Sequence, residues 1–423
     1  MQAIPAGQFS FASVLHPGDR IVVGQGTAEP RTLVRRLLEE ARAGLLPEVM
    51  VFLGPVYSDS FAGDLPDGIR FESYCGIGGV SALAKAGRVD IYPAHLSAIE
   101  RDIRAGRFRV DVALVSLRPA LSGGGLNLGL ARDYAYSAAC RARSVIGELQ
   151  PDMPACHGGE LDPSLPLTAL VQAETGVLHL PVPPLDTVTQ VIAQRVAGLI
   201  PDGAVLQMGV GTIPSAVCSA LTTHRDLGVH SGTIGDGIVD LAESGALTNA
   251  RKERDKGVSI AGILMGTKRL YDFAHDNPAL RLAGQEETHA LDVLAGLSRL
   301  HAINSALEVD LTGQIGSETV GGRYMGAIGG QVDFVRGALL SPGGRAIIAL
   351  PSVTGKGLSR IVNRVDTVTC ARADADTIVT EHGVAELRGQ PIGERVRRMI
   401  AVAAPEHREA LERGWRDEQA GRR

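Results

Sequence analysis

One pattern occurs twice in this chain. Pro17-Gly18-Asp19-Arg20-Ile21-Val22-Val23-Gly24-Gln25-Gly26-Thr27-Ala28-Glu29-Pro30 and Pro201-Asp202-Gly203-Ala204-Val205-Leu206-Gln207-Met208-Gly209-Val210-Gly211-Thr212-Ile213-Pro214 share a plan of turn, apolar strand, Gly-x-Gly-Thr and proline. A short apolar run that ends in glycine suits a buried strand. The two glycines then allow a tight turn, and a proline is well placed to open a helix. A strand that turns directly into a helix is the unit of a parallel sheet, so the duplication predicts two similar α/β halves. The helix start would also aim free N–H groups at whatever occupies the turn, which suits an anionic or carbonyl-bearing ligand. The third glycine of a dinucleotide fingerprint is lacking.

Strands and helices alternate along the rest of the chain. Leu33, Leu37, Leu38 and Ala41 recur at helical spacing among Arg and Glu, and Glu48–Gly54 and Val110–Leu117 read as buried strands. Ser122–Gly125 reads as a loop. Gln150–Pro184 carries seven prolines and is the expected linker, giving domains 1–184 and 185–423. A second glycine cluster runs from Gly313 to Gly322 and continues through Gly326, Gly329 and Gly330 into a helix from Val332 to Leu339. A helix opening from such a loop offers donors to a developing oxyanion, although loops of this kind also occur where strands cross closely.

Composition excludes several classes. The formal charge of −5 over 423 residues, with scattered basic residues, leaves no nucleic-acid footprint. The five cysteines are widely spaced and form no C-x-x-C pair, which argues against a disulfide framework or a zinc site. No apolar run approaches the roughly 18 residues of a membrane span, and the first residues lack the character of a secretory signal. The expectation is a cytoplasmic protein with no membrane or nucleic-acid partner.

Five stretches carry a resemblance: Gln207–Pro214, His230–Asn249, Leu264–Phe273, Gly329–Ala338 and Val379–Gly389. In order and over nearly the whole chain they resemble the acetyl-CoA hydrolase/transferase family, most of all its 4-hydroxybutyrate and butyrate CoA-transferases. The resemblance implies two parallel-sheet domains of the class I CoA-transferase type with the active site in the cleft between them. It further implies acyl-CoA as substrate, a carboxylate as possible acceptor and no metal. A homo-oligomer is expected. CoA would be held by Gln207, Met208, Gly209, Val210 and Gly211, with oxyanion donors at Gly326 and Gly330. Lys356 is a candidate phosphate contact or an ordinary surface lysine.

In that family a glutamate attacks the thioester and carries CoA while carboxylates exchange. Its motif, His-Ser/Thr-Glu-x-x-x-Asp-Gly, aligns here with His230-Ser231-Gly232-Thr233-Ile234-Gly235-Asp236-Gly237. Glycine at 232 offers no nucleophile. Ala327 and His382 also depart from the pattern, where the family usually has glycine and tyrosine. The ionisable candidates that remain are Glu318, preferred as substitute base or nucleophile, then His230 and Asp236, with Glu381, His382 and Glu29 behind them. His230 and Asp236 have two roles open, holding the loop or acid–base work. For Glu29, entry to the site competes with stabilising a helix N-terminus. Three functions stay open: thioester transfer or hydrolysis, C–C chemistry beside a thioester by a base and an oxyanion hole, and silent CoA binding.

Overall fold

The structure is a computed structural model that describes residues 2–121, 123–181 and 184–421. Ser122 of the expected loop, and Val182 and Pro183 of the expected linker, lie outside the described residues. The chain forms two compact units. Unit 1 comprises Met1–Pro181, Gly232–Asp236 and Val258–Ala290, and unit 2 the stretches Val182–Ser231, Gly237–Gly257 and Leu291–Arg423. Two segments that the sequence reading placed in the second domain therefore fold with the first.

Unit 1 is built on β1 (Arg20–Val23), β2 (Val49–Leu53), β3 (Ile69–Ser73), β4 (Val89–Ile91), β5 (Val112–Pro119), β6 (Ser144–Leu149) and β7 (Leu167–Gln172), in the order β4-β3-β2-β1-β5-β6-β7. Every pairing in that path is parallel. Strands buried on both faces need no alternation, which is why β1 and β2 read as continuous apolar runs. Helix α1 (Arg31–Arg42) lays Leu33, Leu37 and Leu38 on the sheet with Ile21, Val51 and Leu114. Each such leucine contributes roughly 1.5–3 kcal/mol of burial. The proline-rich stretch after Gln150 is no free linker. It contributes β7, which pairs with β6 from Val145↔Leu167 to Leu149↔Gln172, and it buries Met153, Ala155 and Cys156. Prolines punctuate this stretch without preventing it from packing.

In unit 2, β8 (Val205–Met208) leads into α2 (Thr212–Ala220), and β9 (Gly228–Ile234), whose last three residues belong to unit 1, pairs with β8 through Gly228↔Val205 and Val229↔Leu206. Within unit 1, β10 (Ser259–Leu264), α3 (Lys268–Ala274) and β11 (Leu280–Leu282) form a further strand–helix–strand, with β10 and β11 parallel. Unit 2 then continues with β12 (Leu300–Asn304), α4 (Gln331–Leu340), β13 (Arg345–Ala349), β14 (Thr377–Thr380) and the antiparallel edge strand β15 (Gly383–Glu386). Its strand order is β9-β8-β12-β13-β14-β15. Matched position by position, β2-β1-β5-β6-β7 and β9-β8-β12-β13-β14 run in the same order, and in each the Gly-x-Gly turn follows the strand where the order reverses. In open α/β sheets ligands bind at the carboxyl ends of strands around such a switch point. A separate core of Val205, Leu300, Val309, Phe334, Ile348, Ile378 and Met399 holds unit 2 together. Among the described residues no helix is long and apolar enough to cross a membrane.

Candidate active site

The second Gly-x-Gly turn is open. Helix α2 begins at Thr212, so Pro214 sits inside its first turn, and Gly211 is the N-cap with φ 122°. That angle lies in the region that favours glycine. Among the described residues a Cβ at Gly209 or Gly211 would meet nothing within 4 Å. Among the described residues nothing accepts a hydrogen bond from the Val210 or Gly211 N–H. The turn thus presents uncommitted donors at a helix start. Gln207 and Met208 brace it from behind: the buried Gln207 side chain accepts from Asn304 Nδ2 at 2.9 Å, and Ser231 Oγ donates to the Met208 carbonyl at 2.8 Å.

The first Gly-x-Gly turn, identical in plan, is closed. Gly24 N–H donates to the Leu114 carbonyl and Gly26 N–H to the Pro55 carbonyl, each at 2.9 Å. Gly26 has φ 61°, and a Cβ there would lie 2.3 Å from Met265 Cε. Thr27 Oγ1 donates to the Leu264 carbonyl at 2.6 Å. This turn is spent on packing against the end of β10.

His230 is fully buried in β9. The next residue back, Val229, has its N–H accepted by Asn249 Oδ1 at 2.9 Å and its carbonyl bonded by Lys252 Nζ at 3.0 Å. Lys252 is itself fully buried, a feature that sequence reasoning missed because an isolated lysine in a charged segment carries no periodic signal. Gly232 lies in the same strand and is partly exposed. Asp236 accepts from Thr267 N–H at 3.0 Å, Thr267 Oγ1 at 2.8 Å and Leu270 N–H at 3.2 Å. Its carboxylate is committed to the start of α3, so of its two roles the geometry serves the holding one rather than acid–base work.

Glu318 is buried and held by hydroxyls, with Thr369 Oγ1 donating to Oε1 at 2.8 Å and Tyr324 OH to Oε2 at 3.3 Å. No arginine pairs with it among the described residues. Its backbone carbonyl accepts from Met325 and Gly326 N–H at 2.8 and 3.0 Å. Gly326 therefore needs correction as an oxyanion donor: its N–H is already used, and a Cβ there would lie 2.0 Å from the Ser317 carbonyl. The glycine permits a close crossing of two backbones. Ala327 N–H is likewise bound to the Ser317 carbonyl, at 2.9 Å. Gly330 remains as the N-cap of α4, where no side chain caps the helix. The first residue of α4, Gln331, ties the loop down by accepting from Ser317 Oγ at 2.8 Å and donating to the Ser305 carbonyl at 2.9 Å.

The outlying candidates separate. Glu381 accepts from Ser352 N–H and Oγ at 2.9 and 2.6 Å, and His382 Nε2 stands 3.6 Å from Glu381 Oε1. Lys356 is exposed on a turn, its N–H bound to Thr354 Oγ1. Within unit 2 the open turn, Ser231 and Asn304 come together at the ends of β8, β9 and β12; Asp236 and Glu29 belong to unit 1.

Two family models match: the acetyl-CoA hydrolase/transferase N-terminal domain over residues 9–188 and the C-terminal domain over residues 266–415. A 4-hydroxybutyrate coenzyme A transferase of Clostridium kluyveri is 35% identical over 93% of this chain and 92% of its own length. An acetyl-CoA hydrolase of Yarrowia lipolytica is 28% identical over 78% of this chain and 72% of its own. Among solved structures, RipA from Yersinia pestis superposes with a TM-score of 0.90 at 31% identity, covering 97% of this chain and 96% of that one. A 4-hydroxybutyrate CoA-transferase from Porphyromonas gingivalis gives 0.80 at 30% identity, covering 98% and 97%.

Proposed function

The chain belongs to the acetyl-CoA hydrolase/transferase family, and from that premise we propose that it hydrolyses short or medium acyl-CoA thioesters, holding CoA at the turn Gln207–Gly211. The observation that carries the reading is the open turn at the start of α2, whose Val210 and Gly211 amides have no acceptor among the described residues. Uncommitted donors at a helix start suit the negative charge of a CoA phosphate or of a thioester oxygen in the transition state. Hydrolysis is preferred to exchange between carboxylates because Gly232 has no side chain on which CoA could be carried. Water as acceptor needs only a base and a stabilised oxyanion.

Gly330, at the start of α4, is proposed as a second donor and Glu318 as a supporting carboxylate near it. The test is incubation with acetyl-, butyryl- and hexanoyl-CoA, with and without acetate, followed by mass spectrometry of thioesters and free CoA. Hydrolysis predicts free CoA at a rate independent of acetate. New acetyl-CoA formed from butyryl-CoA and acetate would replace this reading with transfer, and an unchanged thioester pool would remove it.

A further inference from the structure

The fully buried Lys252 sits where a β-ladder gives out. On one side of β9 the Gly228 N–H donates to the Ala204 carbonyl, just before β8, at 2.9 Å. On the other side the stretch 246–249 runs alongside as a strand would. Leu227 N–H donates to the Ala246 carbonyl at 2.9 Å, and the Thr248 and Asn249 N–H groups donate to the Leu227 carbonyl at 3.0 and 2.9 Å. At Asn249 the backbone turns off with φ 54°, a left-handed conformation that asparagine adopts more readily than most residues. Successive residues of a strand turn their N–H and C=O to alternate sides, so both Val229 groups face away from β8, into the space the backbone has left. Two side chains fill it: Asn249 Oδ1 accepts from the Val229 N–H, and Lys252 Nζ donates to the Val229 carbonyl. The lysine stem crosses Gly228, where a Cβ would lie 3.0 Å from its Cγ and 3.1 Å from its Cδ, so the glycine keeps that passage open.

A buried carbonyl without a donor is costly, and an ammonium is costlier still to bury. A methionine at 252 would fill a similar volume with less desolvation but would offer the carbonyl no donor. What the lysine adds is a fixed position for β9, and that position is passed on. The register Val229↔Leu206 sets Ser231 beside Met208, where Ser231 Oγ donates to the Met208 carbonyl at 2.8 Å and accepts from its N–H at 3.3 Å. Met208 is the last residue of β8, directly before the open turn. Lys252, Val229, Ser231 and Met208 thus form one series, all of it within unit 2.

We infer that Lys252 is the positioning residue of the open turn 209–211: it holds β9 by the Val229 carbonyl, so that Ser231 fixes the residue from which the turn springs. For CoA this rests on the reading above that the turn is its site.

The test uses Lys252→Met, Ser231→Ala and the double variant in the full chain. Lys252→Met is expected to weaken CoA binding about 10-fold in calorimetry, and Ser231→Ala by a similar factor, while the double variant binds no more weakly than Ser231→Ala, because residues acting in series do not add. Losses that multiply to about 100-fold, or wild-type affinity in Lys252→Met, overturn the inference. Hydrogen exchange of the free protein reads the same effect without CoA. The peptide 205–211 should exchange about 10-fold faster in Lys252→Met, as a local opening does, while 345–349 of β13 keeps its rate. Equal acceleration of both peptides would make Lys252 a general support of the fold, and no acceleration would detach it from the turn; either overturns the inference. A wild type that binds no CoA defeats the functional reading, and the exchange result then decides the inference by itself. If Lys252→Met does not fold, Gly228→Ala takes its place, since the added methyl presses on the lysine stem with the ammonium retained. Faster exchange confined to 205–211 in that variant supports the inference, and an unchanged rate there overturns it.

Discussion

On the proposed reading, single residues decide what the site does with a thioester. Gly232 lies in an extended strand and is partly exposed, so a side chain is compatible with its backbone. Gly232→Glu is therefore expected to fold and, given butyryl-CoA, to accumulate a CoA thioester on the new carboxylate, since positioning alone can contribute several kcal/mol of barrier lowering. Intact-protein mass spectrometry before and after borohydride reads the adduct, which the wild type should lack. A folded, CoA-binding variant that forms no adduct would mean that the site has lost transferase geometry altogether. At Gly326 the demand is steric: Gly326→Ala drives a methyl into the Ser317 carbonyl and should cost roughly 2–3 kcal/mol in urea unfolding, toward the upper range for point changes. An unchanged midpoint would show that the crossing relaxes freely. The sequence made the glycines visible but not their tasks. Gly211 and Gly326 look alike in one dimension, whereas one faces open space and the other a carbonyl.

At the scale of elements, the matched strand–turn–helix units were legible because buried strands and amphipathic helices leave periodic signals. What the turns do was not, because it depends on segments distant in sequence. A Cβ at Gly26 would meet Met265, while among the described residues one at Gly211 would meet nothing within 4 Å. Gly211→Val should strain a backbone at φ 122° and bring a branched side chain into the open turn, so CoA binding by calorimetry should vanish while the fold persists. Unchanged affinity would move CoA elsewhere. Helix α1 shows another long-range dependence. Its N-cap, Pro30, supplies no side-chain cap, and the Leu33 N–H is instead taken by Glu148 Oε2 of β6 at 3.0 Å. Burial raises the Glu148 carboxyl to about 7, and that of Asp133, the N-cap of the helix Tyr134–Arg141, to about 6. The folded state keeps protons that the unfolded chain releases. The stability these groups contribute is thus complete below about pH 4 and is lost as pH rises through 6 to 7. Glu148→Gln should remove roughly 3 kcal/mol of the wild type's decline between pH 4 and pH 8, at about 1.4 kcal/mol per pH unit. Parallel unfolding curves of the two proteins across that range would refute the assignment.

Across the whole molecule, the duplicated strand order explains why one pattern could predict both halves, and the interleaved chain explains why the boundary could not be read as a single cut. The expected linker contributes β7, and the segments Gly232–Asp236 and Val258–Ala290 return to unit 1. Their bonds are specific: Arg132 N–H to the Gly262 carbonyl, Leu264 N–H to Leu130, and Leu282 N–H to His157, at 2.8–2.9 Å. A fragment of residues 1–184 is expected to lack a cooperative thermal transition by circular dichroism, and a sharp melt would show that the first unit stands alone. The same interleaving sets a timetable for synthesis. Domains fold from the N-terminus as they leave the ribosome, at about 5–20 residues per second. Unit 1 cannot close when Pro181 emerges; it must wait for about 110 further residues, through Ala290, which is roughly 5–20 s of translation. Throughout that interval all seven strands of the first sheet are present, but the stretches around Leu130, Arg132 and His157 lack the partners that Val258–Ala290 later brings, which makes the nascent chain a client for chaperones that bind uncovered surface.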